Sequence, residues 1–476
     1  MKKYLILIVA VLLVTISGNS QNNSSGKLSL RQSVETGLAN NLQVLQSGLQ
    51  AQADEIAWKQ SRLDLLPDLN GSINHGVNQG RSIDPFTNSY INQKINYAGY
   101  GLNSGVVLFN GFSMQNTIKQ NSLNYEASKM DLQQAKDNLT INIILAYLQV
   151  LSGEDILEQS RNQADLTMKQ VERLEVLNKE GSIPPYQLSD IKGQYANDQL
   201  NMLSAQNTLE TVKLNLCQLM NVPYDKNLSL ERLDAASFAE RYEATPENIY
   251  ETALKQFSLI KAVDLRTQSA ERGLKVSKGR LFPTLSLNGN VNTNYSDAAR
   301  ADIFLNSTEV TSSDYVLVNG NPSPVIRKQN NFRSDKISYG RQLNNNLFNS
   351  ISLNLRIPIF NSLQARNNIK LARIDLKNNE LVAKTTKTQL QQSIDQAYIN
   401  MTTASKRHKV MLEQVAAFTE SFRAAEIRFN AGVGNSIDYL TAKNNLDRAN
   451  VNLVNARYDF VLRTKILDYY QGKPLW

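Results

Sequence analysis

Leu65-Leu66-Pro67-Asp68-Leu69 leads into an alternating stretch, Leu69 to Asn78, and Leu281-Phe282-Pro283-Thr284-Leu285 leads into another, Leu285 to Asn294. The two prolines are 216 residues apart (283 − 67 = 216). Glu35-Thr36-Gly37-Leu38 reappears as Glu251-Thr252-Ala253-Leu254 at the same spacing (251 − 35 = 216). Between them Gln52, Glu55, Lys59 and Ser61 match Gln268, Glu271, Lys275 and Ser277. Downstream, Phe109-Asn110-Gly111 answers Phe360-Asn361-Ser362 at 251 (360 − 109 = 251), so the second copy carries an insertion. Each copy reads as helix, strand, strand, very long helix, turn, long helix.

Four segments alternate with period two, the pattern of a strand with two different faces. In Leu69 to Asn78, Leu69, Gly71, Ile73 and Val77 oppose Asn70, Ser72, Asn74 and Asn78. Gly101 to Phe109 is shorter and less regular. In Leu285 to Asn294, Leu285, Leu287 and Val291 oppose Ser286, Asn288, Asn290 and Asn292; in Ser350 to Phe360, Ile351, Leu353, Leu355, Ile357 and Ile359 oppose Ser352, Asn354 and Arg356. About 10 residues is the length of a tilted transmembrane strand, with one face to lipid and the Asn/Ser face to water. Gln79 to Tyr100 and the polar stretch Tyr295 to Asn349 then read as outward loops. Tyr90, Tyr97, Tyr100, Tyr295, Tyr339 and Phe348 fall near strand ends, where an aromatic girdle would sit.

No proline interrupts Phe112 to Ile183, and none interrupts Phe360 to Gly472. A helix from about Ser113 to Asn178 would be roughly 100 Å long. Leu188, Tyr195, Met202, Leu209 and Leu216 recur every seventh residue, with Ile191, Asp198, Ala205, Val212 and Leu219 three positions on. Tyr439, Leu446, Leu453, Phe460 and Leu467 do the same, beside Ala442, Ala449 and Ala456. Such heptads predict coiled-coil hairpins, turning at Glu180-Gly181-Ser182 and Ala431-Gly432-Val433-Gly434. Four strands cannot close a barrel, and an open edge in lipid leaves backbone groups unpaired. Other copies of the chain must supply the missing strands.

Lys2-Lys3, the apolar run Leu5 to Ile16 and the small residues Gly18-Asn19-Ser20 predict a secretory signal over residues 1–20. The remainder shows no apolar run long enough for a membrane helix. The formal charge of +8 is spread among many acids, without the basic, aromatic-interleaved stripe of a nucleic-acid binder. Cys217 has no partner for an internal disulfide, and His75 and His408 stand in no metal-ligand spacing. Gly99-Tyr100-Gly101 with Gly105 precedes a strand, not the helix a phosphate loop requires. The expectation is therefore no enzyme, no cofactor and no bound metal.

The order, spacing and duplication of these motifs resemble the outer membrane efflux protein family, the TolC-like channels, over essentially the whole mature chain. The resemblance rests on the two proline-containing stretches above, on Val107 to Gly111 and Ile357 to Asn361 at the ends of the second and fourth strands, and on the turns Gly181 to Leu188 and Gly432 to Leu440. It implies a mixed α+β membrane protein. Three chains would build a twelve-stranded β-barrel, four strands each, continued by an α-helical coiled-coil periplasmic tunnel. The implied layout is residues 21–225 for the first repeat, with strands at 69–79 and 101–109 and helices at 113–179 and 184–220. Residues 226–245 form a linker. Residues 246–470 form the second repeat, with strands at 285–294 and 350–360 and helices at 363–430 and 436–470, and 471–476 a tail.

The implied function is a passive exit duct in the outer membrane, serving a periplasmic adaptor and an inner-membrane RND or ABC pump in tripartite efflux or type I secretion. In the family the second hairpin pinches the tunnel. Its first acidic gate position falls on Asp438, its second on Thr441, its gate arginine on Gly434 and its gate tyrosine on Phe429, so only one acidic ring is retained. In the first tip, Gln187 stands opposite Asp438 after Pro184-Pro185. Three Asp438 carboxylates around a narrow lumen would favour cations; the bland alternative is a solvated residue at a helix N-terminus. Gly181, Ser182, Gly432 and Val433 are the candidate adaptor-docking tips, whose glycines also read as helix C-caps. Asn70, Ser72, Asn288, Asn290, Asn354 and Arg356 are the candidate lumen lining. A trimeric coiled-coil adhesin predicts one barrel segment and no duplication. A periplasmic adaptor predicts one hairpin flanked by β-rich modules.

Overall fold

The computed structural model describes residues 27–83, 88–92, 94–232 and 244–473. The expected signal segment lies outside these residues, as do the middle of the 226–245 linker and the end of the tail. In the first copy the elements are α1 (Leu30–Asn40), α2 (Leu42–Leu63), β1 (Asn70–Asn78), β2 (Arg81–Ile83), β3 (Tyr90–Asn92), β4 (Ile95–Phe109), α3 (Ser113–Lys179) and α4 (Pro185–Met220). The second has α5 (Pro246–Gln256), α6 (Ser258–Gly279), β5 (Thr284–Ser296), β6 (Arg300–Val318), β7 (Asn321–Lys336), α7 (Tyr339–Asn345), β8 (Phe348–Arg356), α8 (Gln364–Asn430) and α9 (Ser436–Tyr470).

The opening helix of each copy is two helices, where one was expected. Ser29 starts α1 with a reciprocal capping box to Gln32. Asn41 then leaves helical geometry, its N–H still bonded to Gly37, while its side chain accepts from Gln43 and Val44 and starts α2. Phe257 interrupts the second copy at the matching place, with extended backbone.

Strands β1, β4, β5 and β8 form one antiparallel sheet in the order β1-β4-β5-β8. Three expectations need correction. The second strand begins at Ile95, not Gly101, because its added residues pair with Gly76, Val77 and Asn78 of β1 and with Ser296 of β5. The fourth runs over Phe348–Arg356, so Ile357, Ile359 and Phe360 leave the ladder at Pro358, which has no N–H to donate. The polar stretch 295–349 is no irregular loop: β6 and β7 form a long two-stranded ribbon turned at Asn319-Gly320, both left-handed, and α7 follows it.

The chain divides into two compact units. One runs up to Ala51 and takes in Ser128–Ala262 and the chain from Ala383 on; the other comprises Gln52–Ala127 and Val263–Val382. The second holds the sheet and the ribbon. In the first, α1, the middle of α3 and the end of α4 bury Val34, Ile143, Tyr147, Leu151, Leu216 and Cys217. The Tyr147 hydroxyl donates to the carbonyls of Leu28 and Glu231 at 2.9 and 2.6 Å. Cys217 is a small packed core residue. Ile249, Ala253, Ile260, Ile394, Phe460 and Leu467 make the corresponding core of the second copy. The expectation that no apolar run could cross a membrane also needs correction. By length and composition alone α3 is long and apolar enough to cross one, and more than half of its most apolar stretch is buried. The middle of α3 contributes core positions from Leu139 to Leu157.

Candidate functional site: a polar sheet face and two hairpin tips

Alternation along four paired strands lines up side chains across the sheet. Asn70, Asn103, Asn290 and Ser350 form one row across all four strands. Ser72, Gly101 and Asn292 form the next, while Gly105, Asn288 and Ser352, then Val107, Ser286 and Asn354, continue the same face in the other direction. Past the irregularity between Val107 and Phe109, Thr284 and Arg356 pair at the end of the sheet. All six candidate lumen residues thus belong to one face. The Ser350 hydroxyl donates to Asn290 Oδ1 at 3.1 Å, and Asp68 accepts from the Gly105 N–H at 2.6 Å. The opposite face carries Leu102 with Val291, Ile351 with Gly289, and Val106, Leu287 and Leu353 in one row. Leu102, Val291, Ile351 and Leu353 are exposed. At one end of the sheet the Tyr295 and Tyr339 rings lie 4.5 Å apart and the Tyr339 and Tyr100 hydroxyls are hydrogen-bonded, which gathers three of the expected girdle aromatics.

Both hairpin tips end their first helix in the same way. Gly181 (φ +70°) and Gly432 (φ +74°) take the left-handed position. The next N–H reaches back to close the helix, Ser182 to the Leu177 carbonyl and Val433 to the Arg428 carbonyl, as in a Schellman cap. Beyond that they differ. In the first tip Pro184 and Pro185 open α4, and Pro184 supplies no side-chain cap. In the second, Asn435 caps α9 by accepting from the Asp438 N–H at 2.7 Å. Asp438 therefore sits in the first turn, exposed, as is Thr441 one turn on. Acidic side chains there complement the helix dipole, which accounts for Asp438 within one chain.

Gly434 packs against the end of α8: a Cβ built on it would lie 3.0 Å from the Phe429 nitrogen and 3.1 Å from the Arg428 carbonyl carbon. The structure gives this position a backbone role at the end of α8. Phe429 is buried and stacks on Tyr439 at 4.8 Å, in a small core with Leu174 and Ile191.

The strongest polar feature escaped the sequence reading. Lys443 is 1% exposed and its ammonium lies 2.9 Å from Asp198, itself 3% exposed, and 2.6 Å from Asp447. Thr167 donates to Asp198 at 2.6 Å and Gln194 at 2.7 Å, and Asn444 donates to Gln194 at 3.2 Å. Burial holds the Asp447 carboxyl above the usual carboxylate range, against the opposing attraction of Lys443. Nearer the tips Ser436 donates to Asp190 at 2.8 Å and Arg173 to the Asn430 carbonyl at 2.9 Å. Together these contacts fasten the α3–α4 hairpin to the α8–α9 hairpin. The available signal was Asp198 itself, a charge in a heptad slot otherwise held by Ile191, Ala205, Val212 and Leu219. Among the described residues no group of three or more His, Cys, Asp or Glu is arranged to hold a metal.

A duplicated unit of paired strands and long helical hairpins, with a sheet polar on one face and apolar on the other, defines the class of envelope-spanning channel proteins. The family model of outer membrane efflux proteins matches residues 34–222 and 249–467, once per copy, and the chain belongs to that family. Membership places it in the outer membrane with a periplasmic extension, in a family whose members are channels. It is 23% identical over 468 residues to the outer membrane protein TolC of Vibrio cholerae, covering 97% of this chain and 93% of that one. Its fold is similar to that of CusC, with a TM-score of 0.75 at 15% identity over 94% of this chain and 92% of that one. It is also similar to the CmeC outer membrane channel of Campylobacter jejuni, with a TM-score of 0.74 at 16% identity over 93% and 85% of the two chains.

Proposed function

We propose that the protein is the exit duct of a tripartite efflux or type I secretion assembly. Three copies close a twelve-stranded barrel and a coiled-coil tunnel, and the duct conducts passively from a periplasmic adaptor and an inner-membrane RND or ABC pump. The observation that carries this reading is the sheet itself: β1 and β8 are edge strands, and lipid tolerates no unpaired edge. Ring closure by copies removes every edge and puts the Asn/Ser face, with Asn70, Ser72, Asn288, Asn290, Asn354 and Arg356, on the lumen. Exposed apolar residues on the hairpins, such as Leu200 and Leu203 on α4 and Ile399 and Val410 on α8, agree with burial between copies. Recovery of the protein as a soluble periplasmic monomer would refute the channel.

The hairpin tips, Gly181-Ser182 and Gly432-Val433, are the proposed adaptor contacts, and crosslinking in intact cells tests them. Asp438 is the proposed cation-selective ring at the constriction, with Thr441 leaving the second family ring uncharged. With Gly434 and Phe429 in place of the family's arginine and tyrosine, the constriction is held by the Phe429–Tyr439 packing and by the Lys443–Asp198 fastening of the two hairpins. Asp438→Ala should reduce cation-over-anion permeability in planar bilayers; unchanged selectivity would sink the ring.

A further inference from the structure

The ribbon of β6 and β7 is a large feature that the duct reading does not use. The sixteen-residue β7 pairs along β6 through all but one of its positions, about 50 Å of two-stranded ribbon at the usual rise. An isolated two-stranded hairpin is marginally stable in water, and this one leaves large apolar side chains uncovered: Phe304, Tyr315, Leu317, Ile326 and Phe332 are all exposed. Its base is firmly held. Buried Gln342 accepts from the Ser296 N–H and donates to the carbonyls of Ser296 and Ile337, each at 2.9 Å. The Asn96 N–H donates to Asp297 at 2.9 Å. The ribbon therefore leaves the four-stranded sheet in a set direction, which every copy would share.

The register separates its two faces. One carries Phe304 with Phe332, Thr311 with Ile326, Tyr315 with Pro324 and Leu317 with Pro322, and between them Glu309 with Lys328. The rings of Phe304 and Phe332 meet edge-on at 5.8 Å. The other carries Asn306 with Asn331, Thr308 with Gln329 and Val310 with Arg327. Asn331 donates to Asn306 and Thr308 across it, and Arg333 on that face already engages Asp335 at 3.0 Å.

We propose that the aromatic face is covered by the same ribbon of the other copies, three ribbons gathering over the outer mouth of the duct. This rests on the trimeric reading above. Charge selects the face and the occupant. Around a threefold axis the aromatic faces bring Glu309 of one copy against Lys328 of the next, an alternating ring of opposite charges. The other faces would bring three Arg327 guanidinium groups together, and like charges in contact are destabilising. Lipid is a poor occupant, because Glu309, Lys328, Ser307 and Asn330 interrupt the aromatic face and would enter an apolar phase. The gathered ribbons would form a collar that narrows the exit.

Single cysteines in a Cys217→Ser background test this in intact cells. Tyr315→Cys and Leu317→Cys are expected to form disulfide-linked dimers on mild oxidation, two of three copies joining, while Val316→Cys and Val318→Cys on the other face are not. Glu309→Lys combined with Tyr315→Cys should lose the dimer, and adding Lys328→Glu should restore it. Equal crosslinking on both faces, or none on the aromatic face, in protein that still runs as a trimer would overturn the collar. So would quenching of Leu317→Trp fluorescence by brominated lipid, which would lay that face on the membrane. Absence of the trimer itself would instead count against the duct.

Discussion

Lys192 and Lys443 are equivalent residues of the two hairpins, 251 positions apart (443 − 192 = 251), and they do opposite things. Lys192 reaches Glu175 at 2.7 Å with both side chains about half exposed, 50% and 44%. Lys443 is enclosed, and its partner Asp198 is enclosed with it. The exchange is reciprocal, because Asp198 occupies the slot that Ala449 fills in the second copy (449 − 198 = 251). One hairpin has put a carboxylate where the other has a methyl, and the other has turned its lysine inward to meet it. Duplication supplied two self-similar hairpins; paired substitutions made them complementary, so that one binds the other in a fixed register.

The largest expected effect breaks that pair. Lys443→Met leaves Asp198 buried with only Thr167 and Gln194 as donors. Removing one partner of a buried pair costs about 3–5 kcal/mol. Lys192→Met, at the equivalent surface position, should change stability by about 1 kcal/mol or less. Thermal unfolding of the detergent-solubilised protein compares the two, and similar shifts would show that Lys443 is not the fastening. Combining Lys443→Met with Asp198→Leu should recover much of the loss, since an apolar pair of similar volume replaces buried ions at little net cost.

The tips differ between the copies on a smaller scale. Gly434→Ala forces a methyl to within 3.0 Å of backbone at the end of α8, and overpacking of this kind costs roughly 1–3 kcal/mol. In the first tip the corresponding residue, Ile183, already carries a side chain that packs beside Leu174 and Ile191, so Ile183→Val should be mild. Hydrogen exchange is the readout: Gly434→Ala should raise exchange at the start of α9 and leave the start of α4 unchanged. Equal protection in both would mean that the turn yields without strain.

The duplication, the helix hairpins and the polar face of the sheet were legible because each rests on local pattern. Heptads and alternation report which side of an element faces which medium, and Gly181 and Gly432 mark the turns by the left-handed geometry they supply. Two kinds of feature were not legible. The β6–β7 ribbon carries Asn, Ser and Thr on both faces, which dilutes the hydropathy signal of its strands; the Asn319-Gly320 turn was its clearest local mark. The Lys443–Asp198 pair is invisible for a different reason. Asp198 announces itself as a charge in an apolar slot, but its partner lies 245 residues away and only the folded hairpins bring them together. Asp438 shows the converse limit: its exposure and its place in the first turn of α9 follow from the chain, while a ring of carboxylates is a property of the assembly.

A last contrast between the copies concerns pH. His408 on α8 corresponds to Leu157 on α3 (408 − 157 = 251), which lies in the first core. His408 stacks on Phe460 at 6.1 Å, and burial, reinforced by the positive charge of Arg457, holds its imidazole below the ordinary value of 6.5. The unfolded chain takes up this proton near 6.5 and the folded chain only at lower pH. Between the two values the unfolded state therefore binds more protons, and stability falls as the pH drops. The contribution is complete above 6.5 and lost as the pH descends through the folded value. His408→Leu copies the first repeat and removes the titration. Its melting temperature should fall less than that of the parent protein on acidification below 6.5, with the two curves parallel above it. Because the side chain is partly exposed the difference should be the smallest of those described here, and curves that stay parallel throughout would show that the fold does not sense protonation at this helix.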